Sequence, residues 1–293
     1  MRRAQLIVNS ISGRGHAGAV VPAIEARLRR LGYVVGTIFT PGRGEARDIA
    51  VHADWRTSLI VVVGGDGTLN EVVNGQPKAP LVVFPTGTAN AFAADQGLER
   101  SVDFLEALVR DGVVQWLDAG DASGRRFVSM ASCGILGQVQ RAIGEDRDGP
   151  QTALRLASRA LGVLWKRRFP PVTFSCDGVA VAAEGHVLVV GNTRTYAPGI
   201  VFTPDASPAD GLLDAVILPA PRARDYLPWL RAVRRAARLR DPRIRYVRGH
   251  SIALHGTGID WEVDGEYVGA GPLRISVLPR SLPFLLPRRT QRP

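Results

Sequence analysis

The first 115 residues alternate between short apolar runs and stretches with helical periodicity. Val20, Ile24, Leu28 and Leu31 recur on one face of a helix, whereas residues 59–63 are apolar at every position, which is typical of a strand buried on both faces. The pattern predicts strands at 6–9, 34–39, 59–63 and 81–84, and helices at 18–31, 44–55, 68–75, 89–95 and 101–111. This alternation predicts a doubly wound α/β domain that binds its ligand at the carboxyl ends of the strands.

The third of these helices carries its own boundary signals. Thr68 and Glu71 have the spacing of a capping box, which predicts that the helix begins at Thr68. Gly75 is expected to end it.

The pattern changes after about residue 115. Short β-rich runs are separated by turn residues, and Cys176-Asp177-Gly178 is a hairpin signal. We therefore expect a second domain that is an antiparallel β-sandwich, interrupted by two basic helices at 152–168 and 225–240. The expected domains are 1–115 and 116–293, with a C-terminal tail able to pack back on the first domain.

Charge narrows the choice of partner. The chain of 293 residues has 37 Lys and Arg against 27 Asp and Glu, and its only lysines are Lys78 and Lys166. A net charge of +10 indicates an anionic partner, such as a nucleotide, an anionic membrane or nucleic acid, although a generic arginine-rich surface explains it equally well. The two cysteines make no disulfide framework, no apolar run reaches spanning length, and the N-terminus lacks a signal peptide. We expect a cytoplasmic protein whose membrane contact is peripheral.

The stretch at 61–75, VVVGGDGTLNEVVNG, places a carboxylate inside a glycine-rich turn. It lacks the lysine of a P-loop, and Asn70 stands where the dinucleotide fingerprint requires its third glycine. A carboxylate beside a phosphate is tolerable if Mg²⁺ lies between them. The alternative is a tight turn in which Asp66 accepts hydrogen bonds from the backbone.

Five ordered motifs carry a resemblance over nearly the whole chain. They are NSISGRG at 9–15, GGDGTLNEVVNG at 64–75, PTGTANAFA at 85–93, PDASPADGLLD at 204–214 and VDGEYVG at 263–269. Together they resemble the diacylglycerol kinase catalytic-domain family, which includes bacterial diacylglycerol kinases and the sphingosine and ceramide kinases. The resemblance implies that 1–115 is an α/β nucleotide-binding domain and that 116–293 is a β-sandwich domain for the lipid substrate. It also implies an active site in the cleft between them and transfer of the ATP γ-phosphate to a lipid hydroxyl at the membrane surface. By resemblance to bacterial members, a homodimer is plausible.

The resemblance also implies site residues. The expected nucleotide contacts are Asn9, Ser10, Ile11, Ser12, Gly13, Arg14, Thr40, Gly64, Gly65, Asp66, Gly67, Thr68, Leu69, Asn70, Glu71, Gly87, Thr88 and Asn90. Arg14 is the best placed cation for the phosphates, with a solvated loop arginine as the alternative, and Asp66 organises Mg²⁺ directly or through water.

The proton acceptor is expected in the motif at 263–269. Glu266 is the first choice and Asp264 an equally serious candidate, because residues i and i+2 of a strand point to one face. A turn around Gly265 would break that geometry. A structural Mg²⁺ is expected at the carboxylate of Asp210 and the main-chain oxygens of Ser207 and Leu212, where an Asp-Gly turn is the alternative.

Departures from the family keep other functions open. Ala91 replaces an acidic residue that many members have, and the stretch at 132–139 lacks their aromatic and acidic groups. The alternatives are an NAD kinase-like enzyme and a non-catalytic nucleotide- or lipid-binding protein. Nucleic acid is not expected as a partner, because no aromatic-basic RNA motif appears.

The basic helix at 225–240 has two interpretations of its own. Leu227, Leu230 and Val233 beside its arginines suit a helix lying in a membrane interface. The alternative, which we favour slightly, is a helix packed on its own domain with an arginine-rich outer face.

Overall fold

The structure is a computed structural model that describes residues 1–12, 16–40, 42, 44–53, 57–144, 162–163, 170–183, 185–219 and 226–288. Gly13, Arg14 and most of the basic helix predicted at 152–168 lie outside these residues. The chain forms two compact units. The N-terminal unit comprises residues 1–119 together with 279 onward, and the C-terminal unit comprises residues 120–278.

The N-terminal unit has a parallel sheet at its centre. Its elements are β1 (Arg2–Asn9), α1 (His16–Arg30), β2 (Tyr33–Thr40), α2 (Glu45–Val51), β3 (Thr57–Gly64), α3 (Asp66–Asn74), β4 (Leu81–Pro85), α4 (Ala91–Gln96), α5 (Val102–Asp111) and most of β5 (Val113–Ala122). Its first four strands lie in the order β2-β1-β3-β4, and each adjacent pair is parallel. This order confirms the predicted α/β class, and it brings the carboxyl ends of β1, β3 and β4 to one edge of the sheet.

The predicted start of α3 is wrong by two residues. The helix begins at Asp66, and its N-cap, Gly65, has no side chain to accept a hydrogen bond from the first turn. The Thr68 hydroxyl accepts instead from the Asn9 side-chain amide at 3.0 Å, so Thr68 does not form the expected capping box. Gly75 follows the last residue of the helix, as predicted.

The C-terminal unit is built from antiparallel strands. Its elements are β6 (Arg125–Phe127), β7 (Met130–Gly134), α6 (Ile135–Gly144), β8 (Thr173–Cys176), β9 (Val179–Ala180), β10 (Val187–Gly191), β11 (Thr195–Ala197), β12 (Ile200–Val201), β13 (Leu213–Leu218), α7 (Tyr226–Arg234), β14 (Arg245–Gly249), β15 (Ser251–His255), β16 (Asp260–Val263), β17 (Glu266–Ala270) and the first part of β18 (Leu273–Leu286). One sheet has the order β14-β13-β10-β7-β16-β17, and a second contains β18, β15, β8 and β9. The second part of β18 belongs to the N-terminal unit, where Phe284 pairs with Leu81 of β4.

The two sheets of the C-terminal unit enclose one apolar core. Phe174 of β8 and Ile252 of β15 belong to the same buried cluster as Leu188 of β10 and Ile217 of β13. This packing confirms the predicted β-sandwich. The hairpin predicted at Cys176-Asp177-Gly178 is also present, because Asp177 and Gly178 take positive φ angles of 47° and 82° between β8 and β9.

The basic helix predicted at 225–240 is shorter than expected. It ends at Arg234, and Ala236 has a φ of 50°, which a continuing helix cannot contain. Val233 is buried in a cluster with Val189 and Val216 of the six-stranded sheet. The side chains of Leu227 and Leu230 lie outside the described residues. Val233 is therefore not available to a membrane, and the helix packs on its own unit as in the alternative interpretation.

The packing of α6 on β16 leads to a test of the fold. A Cβ atom at Gly137 of α6 would lie 2.1 Å from the carbonyl oxygen of Asp260, whereas one at Gly18 of α1 would meet nothing within 4 Å. Because both glycines are helical, alanine should bring the same gain in helix propensity, up to about 1 kcal/mol. We expect Gly137→Ala to lower stability by about 1–3 kcal/mol and Gly18→Ala to raise it slightly, as measured by urea unfolding. Equal effects of the two substitutions would contradict this packing.

Candidate active site

Two glycine turns meet at the edge of the parallel sheet. A Cβ atom at Gly87 would lie 2.6 Å from the Cα of Gly65, and one at Gly65 would lie 2.9 Å from the Cα of Gly87. The turn after β3 therefore touches the turn after β4 through bare backbone. Glycine is required at both positions because any side chain would separate the turns.

Asp66 fastens these turns together. Its Oδ2 accepts the backbone N–H of Ala91 at 3.0 Å, and its Oδ1 accepts that of Phe92 at 3.3 Å. Both donors belong to the first turn of α4, where a carboxylate is favoured. Burial raises the pKa of Asp66, and the hydrogen bonds from Ala91 and Phe92 act against that shift. The backbone-bonded alternative considered for Asp66 is therefore present, formed with the neighbouring turn.

Polar side chains link the loop after β1 to the other two loops. Asn9 donates to the Thr68 hydroxyl, and its own oxygen accepts the Ile11 N–H at 3.2 Å. Thr86 donates to the Ser12 hydroxyl at 2.9 Å. The structure thus brings predicted nucleotide residues from three loops together at one edge of the sheet.

The remaining residues predicted to bind nucleotide differ in what they present. The side chains of Leu69, Asn70 and Thr40 are buried, and Thr88 is exposed at its loop. Asn90 holds its own turn, because its Oδ1 accepts the Gly87 N–H at 2.9 Å and its Nδ2 donates to the Gly87 oxygen at 2.8 Å.

The next three members of this set lie outside the contact between the two glycine turns. Glu71 accepts the backbone N–H of Ala46 at the start of α2, and Ser10 lies 3.5 Å from the Thr40 oxygen. Gly67 lies in the first turn of α3. Contact between any of these residues and a nucleotide stays a prediction.

The C-terminal unit holds its carboxylates around a tight hairpin turn. Asp264 and Gly265 have φ angles of 46° and 80° between β16 and β17. The Asp264 carboxylate accepts the backbone N–H groups of Val128, Ser129 and Met130 at 3.0, 2.9 and 3.1 Å. Asp264 is only 8% exposed, so its carboxylate is buried against the backbone that leads into β7.

Glu266 lies in a different environment. Its Oε2 accepts a hydrogen bond from Arg125 at 2.7 Å, and its side chain is 22% exposed. The expectation that Asp264 and Glu266 share one face of a strand is wrong, because the turn at Gly265 separates them. The two carboxylates therefore have different partners and different access to solvent.

A third carboxylate, Glu262, was missed by the sequence reasoning. It is fully buried, with the Ser132 hydroxyl donating to its Oε1 at 2.6 Å and the Gly265 N–H donating to its Oε2 at 2.7 Å. The pKa of Glu262 is raised to about 7, chiefly by burial and also by the charge of Asp264, while hydrogen bonds with Ser132, Gly265 and Tyr196 act against the shift. The alternation of acidic residues at 262, 264 and 266 was the available signal. The stretch 132–139 was singled out only for the groups it lacks, and nothing in the sequence pointed to Tyr196.

The predicted metal loop contains an ion pair. Asp210 accepts the Leu212 N–H at 3.1 Å through Oδ1, and its Oδ2 accepts a hydrogen bond from Arg248. Among the described residues, no group of three or more His, Cys, Asp and Glu side chains is arranged to hold a metal ion. Metal binding at Ser207, Asp210 and Leu212 stays a prediction.

Two family models match consecutive parts of the chain. The diacylglycerol kinase catalytic domain matches residues 3–122, and the YegS C-terminal NAD kinase beta sandwich-like domain matches residues 129–286. The chain belongs to the diacylglycerol kinase catalytic-domain family. It is therefore a lipid-kinase family member that uses ATP, a phosphotransferase with an alcohol acceptor.

Individual relatives in this family match almost the whole chain. The diacylglycerol kinase of Bacillus subtilis is 28% identical over 98% of this chain and 97% of its own. The diacylglycerol kinase of Staphylococcus epidermidis is 27% identical over 98% of this chain and 93% of its own. A crystal structure of a diacylglycerol kinase from Bacillus anthracis has a TM-score of 0.74 at 22% identity, covering 98% of this chain and 97% of its own, which supports the fold.

The environment of Glu262 predicts a specific pH dependence. Its folded pKa of about 7 lies above the unfolded value of 4.5, so folding binds a proton between these pH values. The stabilising effect of this proton is complete below about pH 4.5 and is lost as the pH rises through 7. Relative to Glu262→Gln, the wild type should gain up to about 3 kcal/mol of unfolding free energy as the pH falls from 8 to 5.

Urea unfolding at several pH values measures this difference, because groups common to both proteins cancel. Glu99→Gln, at an exposed position, is the matched control. A difference between wild type and Glu262→Gln that stays constant with pH would contradict the buried site.

Proposed function

We propose that this protein is an ATP-dependent kinase that phosphorylates the free hydroxyl of diacylglycerol at a membrane surface. The observation that carries the choice of lipid is the match of curated diacylglycerol kinases over 98% of the chain. The C-terminal family model is named for a β-sandwich like that of NAD kinases, and this name describes a fold and not an activity. NAD is therefore included as one acceptor in the experiment below.

The nucleotide is assigned to the edge where the three loops meet. The close contact of Gly65 with Gly87 leaves no room for a side chain at either position, and backbone N–H groups without a side chain in front of them suit phosphate oxygens. Asn9 and Thr68 are already hydrogen-bonded, so this surface is preorganised and little ordering is needed on binding. Positioning of the γ-phosphate is the main contribution that a kinase makes to rate.

Mg²⁺ is the metal that this edge suits. Its donors are hard oxygens, the Asp66 carboxylate and the hydroxyls of Ser12 and Thr86, and Mg²⁺ is commonly held by one carboxylate together with substrate phosphates. The Asp66 carboxylate accepts the N–H groups of Ala91 and Phe92, and the backbone N–H groups of Asn90 and of Asp66 itself also lower its pKa. When bound with ATP, the ion would neutralise phosphate charge, and Asp66 would hold it directly or through water.

Glu266 is the better candidate for the proton acceptor. Asp264 accepts three backbone N–H groups and is buried, so its carboxylate fixes the turn. Glu266 lies two residues after Asp264, and its side chain is partly exposed. In the proposed reaction the lipid hydroxyl loses its proton to Glu266 while its oxygen attacks the γ-phosphorus, the bond from that phosphorus to the bridging oxygen breaks, and ADP leaves.

Contact with the membrane is assigned to the basic face of the C-terminal unit. Arg231, Arg235, Arg238 and Arg240 line a cavity of about 670 Å³ beside Trp229, and all four arginines are exposed. Because Val233 is buried, this contact would be electrostatic. Arg238 is paired with Asp205, so the contact would rest on Arg231, Arg235 and Arg240, with about 1 kcal/mol for each near an anionic surface. In the part of the chain that the structure describes, no helix is long and apolar enough to cross a bilayer. The homodimer and the cytoplasmic location stay predictions.

A panel of acceptors tests the function. With Mg²⁺ and γ-³²P-ATP, we expect label in diacylglycerol presented in phosphatidylglycerol-containing vesicles and little in sphingosine, ceramide or NAD. Label in NAD would favour the NAD kinase-like alternative. Intact ATP binding with no labelled acceptor would favour a non-catalytic binding protein.

Two substitutions separate the proton acceptor from the residue that fixes its turn. Glu266→Gln should lower kcat by about 10²–10⁴-fold with little change in unfolding free energy, because general-base catalysis is lost at a partly exposed position. Asp264→Asn should lower the unfolding free energy, because three buried N–H groups lose a charged acceptor. Full kcat in Glu266→Gln, measured on the best acceptor of the panel, would contradict its assignment.

A further inference from the structure

Arg248 lies at the centre of a cluster of charged groups in the C-terminal unit. Its Nε donates to Asp214 at 3.1 Å, while its Nη2 donates to the Asp210 carboxylate and to the Asp205 main-chain oxygen at 3.3 Å. One guanidinium therefore bonds to three points of the segment 205–214. Arg238 adds a second cation, with its Nε 2.7 Å from the Asp205 carboxylate.

The sheet itself fixes Arg248 in this position. Strands β13 and β14 are antiparallel, and their register places Asp214 directly opposite Arg248. Directly opposed residues of opposite charge attract each other across a strand pair. The contact is therefore set by backbone pairing, and the loop before β13 is brought to a cation that is already in place.

A divalent cation fits this donor set poorly. Asp210 is the carboxylate expected to hold the metal, and both its oxygens already accept donors, from Leu212 and Arg248. The carboxylates of Asp205, Asp210 and Asp214 face the two guanidinium groups, so three negative charges already meet two positive ones. A metal ion at Asp210 would lie beside the permanently charged Arg248, and the two cations would repel each other.

We propose that the Arg248 guanidinium takes the place of a structural divalent cation in the loop 204–214. A guanidinium donates to carboxylates in a planar fork and also reaches main-chain oxygen, which are the two kinds of ligand expected for the metal. Unlike a bound ion it cannot dissociate. The loop that leads into β13 therefore keeps its conformation whatever the concentration of free metal.

The test measures stability without nucleotide, so it does not depend on kinase activity. The midpoint of thermal unfolding is followed in EDTA and in 0–10 mM Mg²⁺ or Ca²⁺ for the wild type and Arg248→Ala. The wild-type midpoint should be the same in EDTA and in metal. Arg248→Ala should lower it by several degrees in EDTA, and millimolar metal should restore part of the loss, because removing the guanidinium frees Asp210 and Asp214 to bind a cation.

Two further variants control this result. Arg243→Ala removes an arginine paired with Asp241 outside the cluster and should lose stability without responding to metal. Asp210→Asn combined with Arg248→Ala should abolish the restoration. If Arg248→Ala does not fold, the same thermal measurements are made on Arg248→Lys. In addition, electron paramagnetic resonance measures whether Mn²⁺ binds to the wild type.

Two kinds of result would contradict the replacement of a metal ion by Arg248. Stabilisation of the nucleotide-free wild type by Mg²⁺ that Asp210→Asn removes, or a bound Mn²⁺ that it releases, would show that metal displaces Arg248. An Arg248→Ala protein with an unchanged midpoint, or one destabilised but indifferent to metal, would show that Arg248 forms an ion pair and does not replace a cation.

Discussion

The hydrogen bonds from Ala91 and Phe92 to Asp66 are the contact on which the candidate nucleotide site depends. They join the turn after β3 to the start of α4, and they close only because Gly65 and Gly87 let the two backbones approach each other. The relative position of the two glycine turns follows from that contact. A carboxylate at this point is thus structural first, and its burial makes a compensating cation favourable once an anionic ligand arrives.

In the C-terminal unit a turn is likewise fixed by carboxylates that accept backbone N–H groups, and more of these hydrogen bonds are present. Asp264 takes three consecutive backbone N–H groups, and Glu262 takes the N–H of Gly265 and the Ser132 hydroxyl. The two buried carboxylates therefore fix the conformation of the hairpin turn. Glu266 directly follows the turn, so the fixed turn also fixes the backbone position of Glu266. A partly exposed glutamate can therefore have a defined position at a hairpin.

The sequence predicted the elements well, because apolar periodicity reports directly on burial. The parallel strands, the sandwich and the hairpin at Asp177 and Gly178 were all expected from local pattern, and the helix start at Thr68 failed because its hydroxyl has a distant partner in Asn9. Roles within the site were harder to predict. Asp264 and Glu266 look equivalent in the sequence, and what separates them is a contact to residues 128–130, more than 130 positions away.

The role of Arg248 is likewise set by a contact between residues distant in the sequence, and this contact determines which cation neutralises the loop 204–214. Motif similarity places a metal ligand at Asp210, but the residue that neutralises it comes from a neighbouring strand and belongs to no motif. A fixed guanidinium stabilises the loop independently of solution conditions, whereas an ion at Asp66 would bind together with the phosphates it neutralises. If both assignments hold, a requirement for Mg²⁺ arises from the nucleotide alone and not from folding. The chain would then remain folded when metal is scarce and lose only its capacity for phosphoryl transfer.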